Sequence, residues 1–198
     1  MDSGFCNGSR TTFLDLFCGR GGASKGFAAE GFACTGVDIR NIGYPFNFIK
    51  ADLFDYMPGD RYTVIWASPP CSMFSRWTLG YIGKAVPHKG LDLIWRAFHI
   101  IQTCKPRYWI LENVAGLAGF IGRPNTTVKY QPRGGSKVAY LWGQFPPLGL
   151  IEPIARRTTR ADFIKNPDIL AEIPIELSRA IAKAIKEDML KNSDVSSR

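Results

Sequence analysis

The feature that most constrains this chain is a glycine-dense turn set between two segments of opposite preference near its start. Thr11 to Phe17 is an apolar, β-rich run, Cys18-Gly19-Arg20-Gly21-Gly22 follows, and Ala23 to Glu30 carries helix formers up to a stop at Gly31. Strand, glycine turn and helix in that order predict the first unit of a parallel sheet, since a parallel neighbour can be reached only by crossing over. The pattern then repeats. Ala33 to Val37 reads as a second strand ending at Asp38, and Phe46 to Lys50 as a third segment ending just before Asp52. Tyr62 to Ala67 is stopped by Ser68-Pro69-Pro70, and Tyr108 to Leu111 by Glu112-Asn113, with a helix over about Leu91 to Cys104 between them. The predicted class is α/β, a mostly parallel sheet with helices on both faces in one domain over residues 1–198. In such sheets ligands bind beyond the carboxyl ends of the strands, where every acid just named falls.

Later segments are less regular. Gly119 to Lys137 is rich in Gly, Pro, Thr and Asn and predicts a long loop, followed by a short strand over Val138 to Trp142 and a break at Gly143 to Pro147. Ile175 to Met189 places Leu177, Ile181, Ala184 and Ile185 at helical spacing, and residues 1–10 and 192–198 are expected to fray.

Charge and cysteine usage narrow the partners. Lys plus Arg number 25 against 17 Asp plus Glu, a formal charge of +8, which suits a polyanion such as nucleic acid and serves equally as a solubility charge. No segment has the roughly 20 apolar residues of a membrane span. Met1 to Arg10 lacks the basic-then-apolar order of a secretion signal. Five cysteines, an odd number without a C-x-x-C pair, suggest neither a disulfide framework nor a zinc site, so a reducing cytoplasm is expected and no metal.

Three places carry chemistry. The glycine turn lets backbone approach a nucleotide-like ligand, and Asp38 at the end of the next strand can accept from ribose hydroxyls; a tight turn with a capping acid would show the same spacing. The pattern is G-x-G-G, without the third glycine of the dinucleotide form, which favours a smaller nucleoside ligand over a dinucleotide. Cys71 follows two prolines just past a strand end, a rigid presentation suited to a thiolate nucleophile. Cys6, Cys18, Cys34 and Cys104 read as packing residues. Glu112 leaves the sheet as a candidate general acid or hydrogen-bond partner. His88 and His99, the only histidines, have no evident partners, so a histidine triad is poorly supported.

Asp15-Leu16-Phe17-Cys18-Gly19-Arg20-Gly21-Gly22, Pro69-Pro70-Cys71 with Phe74-Ser75, and Glu112-Asn113-Val114 together resemble the ordered signature of the DNA (cytosine-5) methyltransferases. Trp142-Gly143, Phe145-Pro146-Pro147 and Ile173-Pro174 look most like the short methylases of bacteriophage genomes, which would place the protein in a bacterial host's cytoplasm. The resemblance implies a Rossmann-like fold binding S-adenosylmethionine. Phe17, Gly19, Gly21 and Gly22 would hold the cofactor, Asp38 the ribose and Asp52 the adenine amino group, with Asp15, Ile39, Leu53 and Pro69 also in the cofactor site. It further implies Cys71 as the attacking thiolate, Glu112 as the group that binds or protonates the cytosine ring edge, and double-stranded DNA with a flipped cytosine as substrate.

The sequence departs from the family pattern at three points. Ser72 follows the nucleophile where the family usually has Gln; no clear Gln-x-Arg-x-Arg strand is present, leaving Arg133, Lys137 or neither at the cytosine carbonyl. Only 31 residues separate Trp142 from Pro174, so the target-recognition region is expected to be absent or minimal, with specificity low or conferred by a partner chain. Arg156, Arg157 and Arg160 are candidate backbone contacts to DNA, or an exposed solvated loop. The same chemistry on RNA or a modified base, and an inactive cofactor- or DNA-binding subunit, stay open as alternatives.

Overall fold

The computed structural model describes residues 11–75, 87–132, 137–149, 155–156 and 172–195. Its frame is an eight-stranded sheet in the order β3-β2-β1-β4-β5-β7-β6-β8. The strands are β1 (Thr12–Leu16), β2 (Ala33–Asp38), β3 (Asn47–Lys50), β4 (Val64–Ala67), β5 (Tyr108–Asn113), β6 (Thr126–Pro132), β7 (Lys137–Gln144) and β8 (Ala155–Arg156). Helices are α1 (Gly22–Ala29), α2 (Pro87–Cys104), the single turn α3 (Ala118–Ile121) and α4 (Ile175–Val195). β3, β2, β1, β4 and β5 run parallel, and β7 is antiparallel to both β5 and β6.

The two-residue period of a strand assigns the faces. On β1, Phe13 enters a cluster with Phe27 of α1, Trp66 of β4, and Leu177, Ile181 and Ile185 of α4. Leu14 and Leu16 turn to the opposite face, where they meet Ile65, Ala67 and the α2 residues Ala97, Ile100 and Ile101. Covered on both faces, these strands need continuous apolar runs, as the sequence has. The expected mostly parallel sheet with helices on both faces is what the chain adopts.

Several boundaries differ from the sequence reading. The loop expected over Gly119 to Lys137 instead contains β6, which pairs with β7 from Thr126↔Leu141 to Tyr130↔Lys137. Its Thr126-Thr127-Val128 start is β-prone, and only Val128 of its described residues is buried, so the run has no apolar pattern to announce it. Glu112 lies within β5, opposite Leu141, rather than beyond its end. α2 begins at Pro87 and takes in His88, while α4 continues past the expected fraying point at Asn192, whose amide donates to the Asp188 carbonyl oxygen at 2.8 Å. Residues 1–10 and 196–198 lie outside the described residues.

α4 closes onto α1 at two glycines. A Cβ at Gly22 would collide with the Ile173 carbonyl oxygen, and one at Gly26 with Ser178 Oγ and the Arg179 nitrogen. Ser178 Oγ donates to the Gly22 carbonyl oxygen at 3.0 Å, and Arg179 pairs with Glu30 at 2.7 Å. Gly26→Ala is therefore expected to cost about 3 kcal/mol by overpacking, read as a lowered urea midpoint. A loss within about 0.5 kcal/mol would show that the two helices can separate at no cost.

Candidate cofactor cavity and thiol site

β1 has a parallel neighbour on each side, β2 and β4, and the chain order reverses between them, so a crevice opens at their carboxyl ends. A cavity of about 480 Å³ occupies that crevice. Its floor is the turn after β1. Phe17, Gly19 and Gly21 all take positive φ, and the Phe17 and Cys18 nitrogens both donate to the Val37 carbonyl oxygen, at 3.0 and 3.2 Å. The turn is thereby stitched to the end of β2. Gly19 lines the cavity, and the space where its Cβ would stand is open, so backbone is presented directly to whatever lies there.

Asp38 ends β2 with each carboxyl oxygen holding one backbone donor: Gly19 N to Oδ2 at 3.1 Å and Arg40 N to Oδ1 at 3.2 Å. Asp52, just past β3, accepts from Phe54 N at 3.0 Å and so fixes the turn that carries Leu53 and Phe54. Arg96 of α2 reaches the same turn, donating from Nε to the Leu53 carbonyl oxygen at 2.6 Å and from Nη2 to that of Tyr56 at 2.8 Å. Ile39 and Phe54 line the cavity while 55% and 51% exposed, apolar surfaces suited to a flat ring.

Asp15 is the costly element. The strand period sends it to the same face as Phe13, under α1, where it is almost fully buried. Burial pushes its carboxyl up to about 7, against the bond from Ser24, whose hydroxyl donates to Oδ2 at 2.6 Å. Ser24 Oγ in turn lies 2.7 Å from the Tyr44 hydroxyl. Burial also pushes up the thiols of Cys18 and Cys34, the latter to about 12, as befits packing residues.

The second half of the site adjoins this wall. Ser68 and Pro70 line the cavity, and Cys71, the next residue, is exposed at the start of a short 3₁₀ turn (Ser72–Phe74) anchored by the fully buried Phe74. Asn113, completely buried at the end of β5, donates from Nδ2 to the Pro69 carbonyl oxygen at 3.0 Å. Since Ala67 and Leu111 are register partners, the thiol loop leaves β4 at the level where the adjacent β5 carries Glu112.

Of the residues expected at the cofactor, Asp15, Phe17, Gly19, Gly22, Asp38, Ile39, Asp52 and Leu53 line the one cavity. Gly21 and Pro69 do not: Gly21 supports the turn from behind, against Tyr44 and Pro45, and Pro69 is buried beneath the wall. Sequence reasoning did not place Arg40, Ile42, Phe54, Leu93, Glu172 or Ile173 at the cavity, nor Arg96 behind it; Leu93, Arg96 and Glu172 come from distant segments and carry no local signal. Arg133, Arg157 and Arg160 lie outside the described residues, and Lys137 and Arg156 stand in β7 and β8. Among the described residues no cluster of metal ligands occurs and no helix is long and apolar enough to cross a membrane.

The family model for C-5 cytosine-specific DNA methylases matches residues 11–129, more than half of the chain and the whole span from the glycine turn through the thiol loop to β5. The chain belongs to the C-5 cytosine-specific DNA methylase family. It is 33% identical over 111 residues to the Probable DNA (cytosine-5)-methyltransferase of Frog virus 3 (isolate Goorha), covering 50% of this chain and 52% of that protein. Over 130 residues it is 31% identical to the Type II methyltransferase M.XorII of Xanthomonas oryzae pv. oryzae, 55% of this chain and 29% of the other. The chain thus spans about half of the viral relative's length and less of the bacterial one's. Two solved structures are similar at 18% identity. A DNA modification methyltransferase encoded within an E. coli prophage has a TM-score of 0.48 over 69% of this chain and 47% of its own; a DNMT2 variant of Spodoptera frugiperda has 0.46 over 76% and 56%.

The buried acid Asp15 gives a pH signature. Because the folded-state pKa of Asp15 lies above its ordinary 3.8, its contribution to stability is greatest below that value and is lost as pH rises towards about 7. A displacement of that size corresponds to roughly 4 kcal/mol. Asp15→Asn keeps an acceptor for Ser24 without the charge, so its stability relative to the unmodified chain should rise between pH 4 and about 7, as measured by urea midpoints. Parallel pH profiles for the two proteins would refute the burial argument.

Proposed function

We propose that this chain transfers a methyl group from S-adenosylmethionine to carbon 5 of cytosine in DNA, with Cys71 as nucleophile and Glu112 as the group that engages the ring edge. The observation that carries the reading is the exposed Cys71, one residue beyond the cavity wall and in the loop that follows β4, the strand beside the one that bears Glu112.

The cavity fits that cofactor. Its volume suits one nucleoside with an amino-acid arm, its lips are the apolar Ile39 and Phe54, and two strand-end acids stand at one side. Asp38 would accept from the ribose hydroxyls and Asp52 from the adenine amino group, with Leu53 and Ile39 against the ring and Phe17, Gly19 and Gly22 along the chain of the ligand. Gly21 and Pro69 would act through the shape of their turns, and Asp15 from the floor. When bound, S-adenosylmethionine supplies an electrophilic methyl group.

The remaining chemistry belongs to side chains. Carbon 5 of cytosine is a weak nucleophile, so the Cys71 thiolate adds first to carbon 6 and its electron pair raises the density at carbon 5. A proton or hydrogen bond from Glu112 to ring nitrogen 3 lowers the cost of that addition. After methyl transfer, loss of the carbon-5 proton and expulsion of the thiolate restore the aromatic ring. In a duplex these atoms are stacked and paired, so the base must be flipped out to reach the thiol. With 31 residues between Trp142 and Pro174, target choice is either low or supplied by another chain.

Two measurements test this. Duplex DNA containing 5-fluorocytosine, incubated with protein and cofactor, should yield an adduct stable to denaturation, since fluorine at carbon 5 blocks the final elimination. Cys71→Ser should yield none; no adduct from the unmodified chain, or an undiminished one from the variant, removes this mechanism, and an RNA arm identifies the polymer. Asn113→Ala, which strips the Pro69 carbonyl of its buried donor, should slow adduct formation at least about tenfold while cofactor affinity changes less than about twofold. Equal losses in both would make Asn113 a general structural residue.

A further inference from the structure

Two cations beside the glycine turn are left unassigned by the reading above. Arg20 of the glycine turn and Lys25 of α1 share the single carboxylate of Glu172: Lys25 Nζ lies 2.7 Å from Oε1, whereas Arg20 Nε lies 3.9 Å from Oε2. The first is a hydrogen-bonded ion pair; the second is too long for a hydrogen bond. Among the described residues, Arg20 Nε is the only buried side-chain nitrogen or oxygen without a hydrogen-bond partner. Such an orphan is expensive, and a charged one more so, which is why native interiors supply acceptors for nearly all of them.

Both Arg20 and Glu172 line the cavity, and the Arg20 side chain is 39% exposed, so its guanidinium stands within reach of the contents. Two cations thus share one carboxylate. Of the other acids beside the turn, Asp15 has its Oδ2 occupied by Ser24 and Asp38 has its Oδ2 occupied by the Gly19 nitrogen. The acids Asp38 and Asp52 stand at the strand exits, where the Arg40 nitrogen already serves Asp38.

We propose that Arg20 binds the α-carboxylate of the ligand's amino-acid arm. Glu172 holds the guanidinium in place beforehand, and Lys25 retains Glu172 once Arg20 has turned to the ligand. A side-on guanidinium–carboxylate pair uses Nε together with one terminal nitrogen, and Nε is the atom that lacks an acceptor. Lysine, a point donor, cannot reproduce that fork. The assignment rests on the cavity's being the S-adenosylmethionine site, and it makes Arg20 a determinant of which nucleoside sulfonium the chain accepts.

Calorimetric titration of the protein with S-adenosylmethionine and with its decarboxylated analogue, which keeps the amine, sulfonium and nucleoside, isolates the carboxylate. The unmodified chain should prefer the carboxylated ligand on the order of 10–100-fold, the span expected of charge-assisted hydrogen bonds. Arg20→Gln should reduce that preference to about threefold or less while affinity for the analogue moves by less than about twofold, and Arg20→Lys should fall between. An unchanged preference in Arg20→Gln, or equal losses for both ligands, would overturn the assignment and leave the methyl-donor reading standing. If the unmodified chain binds neither ligand, the methyl-donor reading fails, and this assignment with it.

Discussion

The closeness with which α4 lies on α1 governs the rest of the structure. At Gly22 and Gly26 the two backbones meet where no side chain fits, and Ser178, 156 positions from Gly22, donates to that glycine's carbonyl oxygen. Burial of Leu177, Ile181 and Ile185 against Phe13 and Phe27 supplies the attraction, which is non-directional, while the glycines and the Glu30 ion pairs set where along α1 the helix comes to rest. That register decides what precedes α4. Glu172 and Ile173 are thereby delivered to the glycine turn and become one wall of a cavity whose other walls are strand ends.

A carboxyl at position 15 shows what the cavity costs. The strand period puts Asp15 on a face where Phe13 and Phe27 stack at 4.0 Å, the least favourable setting for a charge. Ser24 and Tyr44 solvate it in a short hydrogen-bonded chain instead of a counter-ion. The neighbouring acids Asp38 and Asp52, at strand exits, are bonded by backbone nitrogens. Acids of one type thus occupy distinct electrostatic settings a few ångströms of sheet apart.

Much of this could be read from the chain because β1, β4 and β5 carry mostly apolar runs and the ends of the first strands are marked by glycine, proline or an acid. Since ligand sites in doubly wound sheets lie at those stops, reading the stops also read eight of the nineteen residues that line the cavity. Illegible parts share a different cause. β6 is half-exposed and hydrophilic, so its strand character comes from pairing with β7 rather than from its own pattern. Arg96 and Glu172 matter only through partners 43 and 147 positions away, and neither α2 nor the approach to α4 carries a local sign of that. Gly21 and Pro69 were legible as members of their motifs but not as residues that act from behind the wall, a distinction that needs the direction of the turn.

Cysteine position separates the settings of the thiols in this chain. Cys18 lines the same cavity and sits in the turn itself, yet it is buried beside Asp15 and Asp38, and burial with two neighbouring acids pushes its thiol away from the reactive form. Cys71 escapes that setting because β4 ends at Ala67 and two prolines carry the chain out of the sheet before the thiol appears. The exit is not loose: Phe74 is sunk in the cluster of Ile94, Leu111, Leu117 and Trp142, and Asn113 holds the Pro69 carbonyl from the adjacent strand. Asn113 follows Glu112 directly, so the hydrogen bond that orients the thiol loop belongs to the same two residues of β5 that present the carboxyl. Any shift of β5 along β4 would move Glu112 relative to the thiol loop, which ties their separation to strand register.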